Sequence, residues 1–191
     1  MIFKCTSKVR EILEVSNLDL NTIPERSPDI IKLWYCNLFY LDRHKCLLFT
    51  HAKTLFSFLA PGVGNAAIRD FGKLFRSNAT VALVAEGVSS QNIQKLIDNG
   101  PDFYAKPDNR SVLGSMNDHI RSCKFYLKYR GGYNNLNFTE LGRELNTAPM
   151  KYIEMESAGG YLLGLLKSGD FGNVWTQRPP DMAVMSHDGD Q

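Results

Sequence analysis

The pattern of residues 30–50, IIKLWYCNLFYLDRHKCLLFT, determines what the remainder of the chain has to pack against. Two runs of aromatic and aliphatic residues, 30–41 and 45–50, flank a polar Asp-Arg-His turn, and this arrangement is typical of a β-hairpin. Both alternating sets of side chains in the first run are largely apolar, as in a central strand that is covered on two faces. The sequence therefore predicts that residues 30–41 lie near the centre of a sheet.

Asn37 is the polar exception within this run. A buried amide needs hydrogen-bond partners, because an unpaired one costs on the order of 1–3 kcal/mol. Asn37 therefore either ties two structural segments together or faces a ligand pocket, and the sequence leaves both interpretations open.

The segments on either side of the hairpin complete an α+β pattern. Apolar and polar periodicity, turn residues and helix caps place the strands and helices along the chain. The predicted strands cover 2–6 and 103–106, with 54–60 as an extension of the sheet, and the predicted helices cover 66–75, 89–97, 110–128 and 138–145. Strands concentrated early and helices later favour a small, mainly antiparallel sheet packed against several helices. We predict one domain over residues 1–167, a loop at 16–29 and a flexible acidic tail at 168–191.

Composition indicates a soluble globular protein. The chain has 191 residues, of which 43% are hydrophobic and 22% charged, and its formal net charge is +2. No apolar run approaches the ~20 residues of a membrane span, and the first residues lack a signal-peptide core, so we expect a cytoplasmic location and no membrane partner. The four cysteines form no CxxC pair, which favours buried, reduced thiols and no zinc site.

The stretch 104–128, YAKPDNRSVLGSMNDHIRSCKFYLK, predicts a short strand, a Pro-Asp-Asn turn and a long amphipathic helix from Arg110. Its apolar residues fall within an arc of about 140° when each residue is advanced by 100°. A basic stripe lies on the far side: Arg110, Gly114, Asn117, Arg121, Lys124 and Lys128. Either Asp108 or Asn109 is expected to cap the helix, because a short side-chain acceptor can take a free backbone N–H.

The start of this helix is the predicted binding site. Lys106, Asn109, Arg110 and Ser111 surround the positive end of the helix dipole and its free N–H groups, which favour a phosphate or a carboxylate. Gly114, one turn further on, leaves room for a ligand or for a close backbone. Asn37, Asn117 and Asp118 complete the predicted ligand-binding set. The alternative interpretation is an ordinary capped helix whose basic face is solvated.

No established catalytic motif is found, so whether the chain is an enzyme is left open. The sequence lacks GxGxxG, GxxxxGK[ST], GxSxG and HExxH patterns, and it identifies neither a cofactor nor a metal site. One alternative is a metal-dependent hydrolase or nuclease that acts through Asp118 and His51. Phe125 and Tyr129 lie beside the basic stripe, which gives nucleic-acid binding slightly more support than the hydrolase. Contact with the next segment is nevertheless the favoured explanation for these two aromatic residues.

The residues quoted so far carry a family resemblance. The strings LWYCNLFYLDRHKCLLFTHAKTLFSFLAPG, YAKPDNRSVLGSMND and LGRELNTAPM resemble a bacterial family known only as a domain of unknown function, with NRSVLGSMND as its most specific string. The resemblance spans about residues 3–166 and implies one whole domain of cytoplasmic bacterial origin. It implies no activity. The chain departs from the family pattern at Lys32-Leu33, where Gly-Asp is usual, and at His119, where an aromatic residue is usual.

These observations favour a non-catalytic binding module. Its expected partner bears phosphate groups, as a small ligand or a nucleic acid, and binds at the start of the 110–128 helix. A third alternative is a purely protein-binding role with the product of a neighbouring gene.

Overall fold

The computed structural model describes residues 1–15, 30–97, 99–150 and 153–169. The predicted loop at 16–29 and residues 170–191 of the predicted tail lie outside this part of the chain. The predicted boundary between residues 167 and 168 therefore stays a prediction. In the described part, no helix has the length and apolar composition that crossing a bilayer requires.

The strands of the main sheet are β1 (Ile2–Cys5), β2 (Leu33–Leu41), β3 (His44–His51), β4 (Ser57–Ala60) and β5 (Phe103–Ala105), and a small two-stranded ladder joins β6 (Pro149–Met150) to β7 (Glu156–Ser157). The helices are α1 (Ser7–Ile12), α2 (Asn65–Arg69), α3 (Phe71–Ala85), α4 (Ser90–Leu96), α5 (Arg110–Tyr129), α6 (Phe138–Thr147) and α7 (Ala158–Ser168). The described residues form a single α+β domain, which confirms the predicted fold class.

The main sheet has the order β4-β3-β2-β1-β5, so the predicted central strand is central. The long β2–β3 ladder and the shorter β3–β4 ladder are antiparallel, whereas β1 pairs in parallel with both β2 and the short strand β5. The sheet is thus mixed, with the larger part antiparallel. The position of β5 was not predictable from the local pattern, because its partner β1 lies about a hundred residues earlier in the chain.

Both faces of the sheet are covered by helices. One face packs against α3, and its largest fully buried side chains include Phe3, Trp34, Phe49, Phe58 and Phe75. The other face packs against α5 and α6, with Ile2, Tyr35, Leu48, Val112, Met116 and Leu145 in its core. The two apolar sets of β2 alternate between these cores, as the sequence pattern predicts.

The free hydrogen-bonding edge of strand β4 is covered at one residue by a side chain of α6. The backbone N–H of Ser57 donates to Asn146 Oδ1 at 2.8 Å, and Asn146 Nδ2 donates to the Ser57 carbonyl at 2.9 Å. Asn146 is 2% exposed. Its amide therefore takes the place of a neighbouring strand at this point and blocks further strand pairing.

Candidate functional site

The start of α5 is capped by Asn109. The Asn109 Oδ1 accepts from the backbone N–H of Ser111 at 2.9 Å and of Val112 at 3.3 Å. This confirms one of the two predicted cap residues. The cap also occupies two of the N–H groups that the predicted anion would have used. An anion at this helix start would therefore depend more on the charged side chains around it than on free backbone donors.

A carboxylate of the chain itself, Asp108, lies beside this helix start. Asp108 Oδ1 accepts from the Tyr35 hydroxyl at 2.6 Å, and Asp108 Oδ2 pairs with Lys4 Nζ. Burial opposes ionisation of Asp108, but hydrogen bonds from Lys4 and Tyr35 outweigh it and lower the pKa of the carboxyl. This cluster joins β1, β2 and the turn before α5 on the sheet face that α5 covers.

The sequence did not identify Lys4 and Tyr35 as members of this cluster. The available signal was a lysine inside an apolar strand, at the position that shares a face with Ile2. Lys4 meets Tyr35 only because β1 and β2 pair in parallel with these two residues in register. That register is a property of the sheet and cannot be read from either strand alone.

The predicted basic residues at the helix start are exposed. Lys106, Arg110 and Ser111 all face solvent. Asp118 does not hold Arg110, because it forms an ion pair with Arg121 at 2.7 Å. Arg110 is therefore not locked in the buried carboxylate pair that would have excluded an anion site.

The remaining predicted residues are divided between two places. Asn37 lies on the same sheet face as Tyr35 and is half-buried, and its Oδ1 accepts from the Thr6 hydroxyl at 3.1 Å. It thus ties β2 to the end of β1, as the structural interpretation expects. Asn117 and Asp118 are exposed further along α5. Lys106, Asn109, Arg110 and Ser111 lie within the short span 106–111 at the helix start, whereas Asn117 and Asp118 lie about two turns away along the helix.

Gly114 is exposed on α5, and a Cβ at this position would meet nothing within 4 Å. Neither a close backbone nor a packed side chain requires the glycine. We therefore expect Gly114→Ala to raise the free energy of unfolding by about 0.5–1 kcal/mol, because alanine loses less backbone entropy in a helix. Urea unfolding followed by circular dichroism measures this change, and a destabilised variant would contradict the open environment.

The solvent-exposed side of α5, called its outer face below, combines positive charge with aromatic rings. Phe125 and Tyr129 are 65% and 75% exposed, and their rings are nearly parallel, 9° apart in tilt, with centroids separated by 6.3 Å. The favoured prediction placed both rings in contact with the next segment, whereas both rings are largely exposed. The exposed cations on this helix are Arg110, Arg121, Lys124 and Lys128.

The hydrolase alternative needs Asp118 and His51 in one cleft. His51 is fully buried, and its ring bonds to Thr54 Oγ1 at 3.0 Å and to the Ile31 carbonyl at 3.2 Å. It shares the α3 face of the sheet with Trp34, its register partner. Asp118 is on α5, which covers the opposite face. The geometry gives this alternative no support.

A second histidine belongs to a buried polar network. His119 Nδ1 lies 3.1 Å from Ser57 Oγ, which also lies 2.8 Å from Thr50 Oγ1 and donates to the Leu55 carbonyl at 2.8 Å. Because serine has one proton to donate, His119 Nδ1 must carry the hydrogen in this arrangement. His119 Nε2 then presents a buried lone pair that meets no hydrogen-bond partner among the described residues. Burial lowers the pKa of His119 to about 4, although the nearby Asp118 opposes this shift.

The cysteines and acidic residues show no metal centre in the described part of the chain. No group of three or more His, Cys, Asp or Glu side chains is arranged there to hold a metal ion. All four cysteines are buried and free. Cys5 and Cys36 are register partners on β1 and β2, and burial, together with the adjacent Cys5, raises the pKa of Cys36.

Two cavities in the described part of the chain lie away from the predicted site. One of about 730 Å³ lies between the end of α1, the start of α3 and β5, and another of about 510 Å³ lies near the Arg76–Asp102 ion pair. None of the predicted ligand-binding residues lines either cavity. The outer face of α5, by contrast, combines accessible side chains with positive charge and aromatic rings.

Comparison with known proteins gives a family but no activity. No curated protein and no solved structure matches the chain. A family model matches residues 2–159, a range that contains the helix start and all of α5. The chain thus belongs to the family described as Domain of unknown function (DUF6933).

Proposed function

We propose that this chain is a nucleic-acid-binding module that uses the outer face of α5. The observation that carries the proposal is the exposed Phe125–Tyr129 ring pair within a row of exposed cations. Basic groups interleaved with accessible aromatic rings are typical of surfaces that contact phosphates and bases together. The cytoplasmic location predicted from the sequence would give access to such a partner and stays a prediction.

The positive charge of this surface comes from a few side chains of α5 rather than from the net charge of the chain. Arg121 is partly neutralised by Asp118, whereas Lys124 and Lys128 lie one turn apart and are exposed. Arg130 lines the same small cavity as Glu140 and Glu144 of α6 and is left out of the proposed surface. The two lysines are therefore the groups best placed to neutralise phosphates.

The predicted helix-start residues extend this surface at its other end. Lys106 and Arg110 are exposed there and offer further contacts to a polyanion. Asp108 lies beside them, but its carboxylate is already paired with Lys4 and Tyr35, which reduces its repulsion of a phosphate. These contacts therefore favour an extended nucleic-acid strand along α5 over a small phosphate-bearing ligand at the helix start.

The proposal is tested by removing the two lysines. The double variant Lys124→Gln/Lys128→Gln is compared with the wild type by fluorescence anisotropy, using labelled single-stranded and duplex DNA of 20 nucleotides or base pairs at several salt concentrations. We expect weaker binding, and a log–log salt dependence that is shallower by about 1.4 for the single strand, since each lost phosphate contact removes about 0.7.

A matched control removes two exposed lysines elsewhere, through Lys73→Gln/Lys95→Gln on α3 and α4. This control should retain the affinity of the wild type to within about twofold, apart from a small general charge effect. Equal affinity of the α5 variant and the wild type, or no binding of either nucleic acid at low salt, would refute the proposed function. The second result would leave a protein partner, such as the product of a neighbouring gene, as the alternative.

A further inference from the structure

We infer that the nucleic acid is bound as a single strand, with unpaired bases stacked on Phe125 and Tyr129. This inference rests on the proposed function and specifies its ligand. It is carried by the accessibility and near-parallel geometry of the two rings, whereas the proposed function is tested through the lysines of the same helix face.

The two rings form an open platform. They lie four residues apart, so their Cα atoms are separated by about 6 Å along the helix axis. Their planes are nearly parallel, 9° apart, and both side chains are largely exposed.

The local sequence repeats a lysine and an aromatic residue on successive turns. Lys124 precedes Phe125, and Lys128 precedes Tyr129, and all four side chains are exposed. A lysine and a ring that alternate in this way offer one phosphate contact and one base contact per turn. The arrangement matches a strand whose phosphates and bases are both accessible.

A duplex cannot use the rings in this way. Its bases are stacked on each other and paired, so only their edges are accessible in the grooves. Unpaired bases can be splayed out and stacked on aromatic side chains, and this stacking tolerates any base because every base has a π-face. The rings therefore discriminate in favour of single strands, whereas the lysines attract both forms.

The surface differs from the other exposed apolar positions of the described chain. Val81 and Val84 are exposed on α3, Tyr40 is 47% exposed on β2, and Met155 is 63% exposed before β7. These side chains lack the combination of two adjacent rings and two adjacent lysines. Tyr40 thus provides a control for the loss of an exposed aromatic ring outside the proposed surface.

The test compares Phe125→Leu/Tyr129→Leu with the wild type and with Tyr40→Leu. The probes are a fluorescein-labelled 12-nucleotide oligo-dT and a duplex hairpin of 12 base pairs, measured by anisotropy at one low salt concentration. We expect the double leucine variant to bind the single strand at least about tenfold more weakly, because each stacked base is lost. Its affinity for the duplex should stay within about twofold of the wild type.

Two further variants separate stacking from other effects. Phe125→Tyr/Tyr129→Phe keeps both rings and should keep the wild-type affinity for oligo-dT, whereas a role of the hydroxyl would lower it. Circular dichroism confirms that each variant is folded, which is expected because both side chains face solvent.

Each outcome is decisive. Unchanged oligo-dT binding in the double leucine variant, or equal wild-type affinity for single strand and duplex, overturns the single-strand inference while the proposed function stands. A wild-type chain that binds neither probe overturns both. A loss of binding to both probes in the leucine variant, with the fold intact, also overturns the inference, because the rings would then contribute without discriminating between the two forms.

Discussion

Replacing Asn146 by alanine is expected to lower the free energy of unfolding by about 2–4 kcal/mol. The amide of Asn146 pairs with both the N–H and the carbonyl of Ser57, and its removal leaves two buried backbone groups of β4 without partners. Asn146 lines a cavity of about 140 Å³. Water that enters this cavity in the variant would hydrogen-bond to part of the exposed backbone, and this would reduce the decrease in the free energy of unfolding without abolishing it. Urea unfolding of the variant and the wild type measures the difference.

Two substitutions sharpen this experiment. Asn146→Asp keeps the acceptor for the Ser57 N–H but places a carboxylate oxygen against the Ser57 carbonyl, so it should destabilise at least as strongly as alanine. Thr147→Ala, at the next position of α6 and exposed, is the control and should change the free energy of unfolding by less than about 1 kcal/mol. An Asn146→Ala variant as stable as this control would show that α6 does not hold the edge of the sheet through the amide.

Acidification is expected to destabilise the protein through His119. Its pKa falls from 6.5 to about 4 on folding, because burial disfavours the charged ring. The unfolded chain therefore binds more protons between these values, and the free energy of unfolding decreases as the pH falls from about 6.5 to 4. One pKa unit corresponds to about 1.4 kcal/mol, so the full loss from this group is about 3 kcal/mol, while above pH 6.5 its contribution is constant.

Urea unfolding at pH 7 and pH 4.5 measures the effect. His119→Asn keeps a polar group near Ser57 Oγ but cannot take up a proton, so the difference between the two pH values should shrink by most of that amount. Ser122→Ala on the same helix changes no titrating group and should retain the wild-type difference. Equal pH dependence in the wild type and in His119→Asn would contradict the buried, neutral state of the ring.

The local sequence determined much of the secondary structure. The apolar alternation of β2 lies within nine residues, and the cap of α5 involves only Asn109 and the two following N–H groups, so both follow from nearby residues. The apolar arc predicted for the 110–128 helix likewise became its buried face, with Val112, Met116 and Cys123 in the core. The fold class was predictable for the same reason, since it depends on the order of these elements.

The sequence determined where the two rings of the proposed binding surface lie on α5, but it did not determine that they are exposed. Helical periodicity placed Phe125 and Tyr129 beside the basic stripe, but it favoured contact with the following segment as the explanation for both rings. The chain after α5 turns at Gly131 and Gly132, both with positive φ, and continues into α6, which packs on the other side of the helix. That direction, and therefore the accessibility of the two rings, was decided by the packing of α6.

The buried polar contacts were decided by tertiary structure alone. Lys4 and Asp108 are 104 residues apart in sequence, Ser57 and Asn146 are 89 apart, and Ser57 and His119 are 62 apart. Local propensities extend over a few residues, whereas these pairs form only after the strand order and register have brought distant segments together. The sequence by itself thus determined the elements and their apolar faces, and the tertiary structure decided which polar side chains meet, because each such pair depends on the position of the whole sheet.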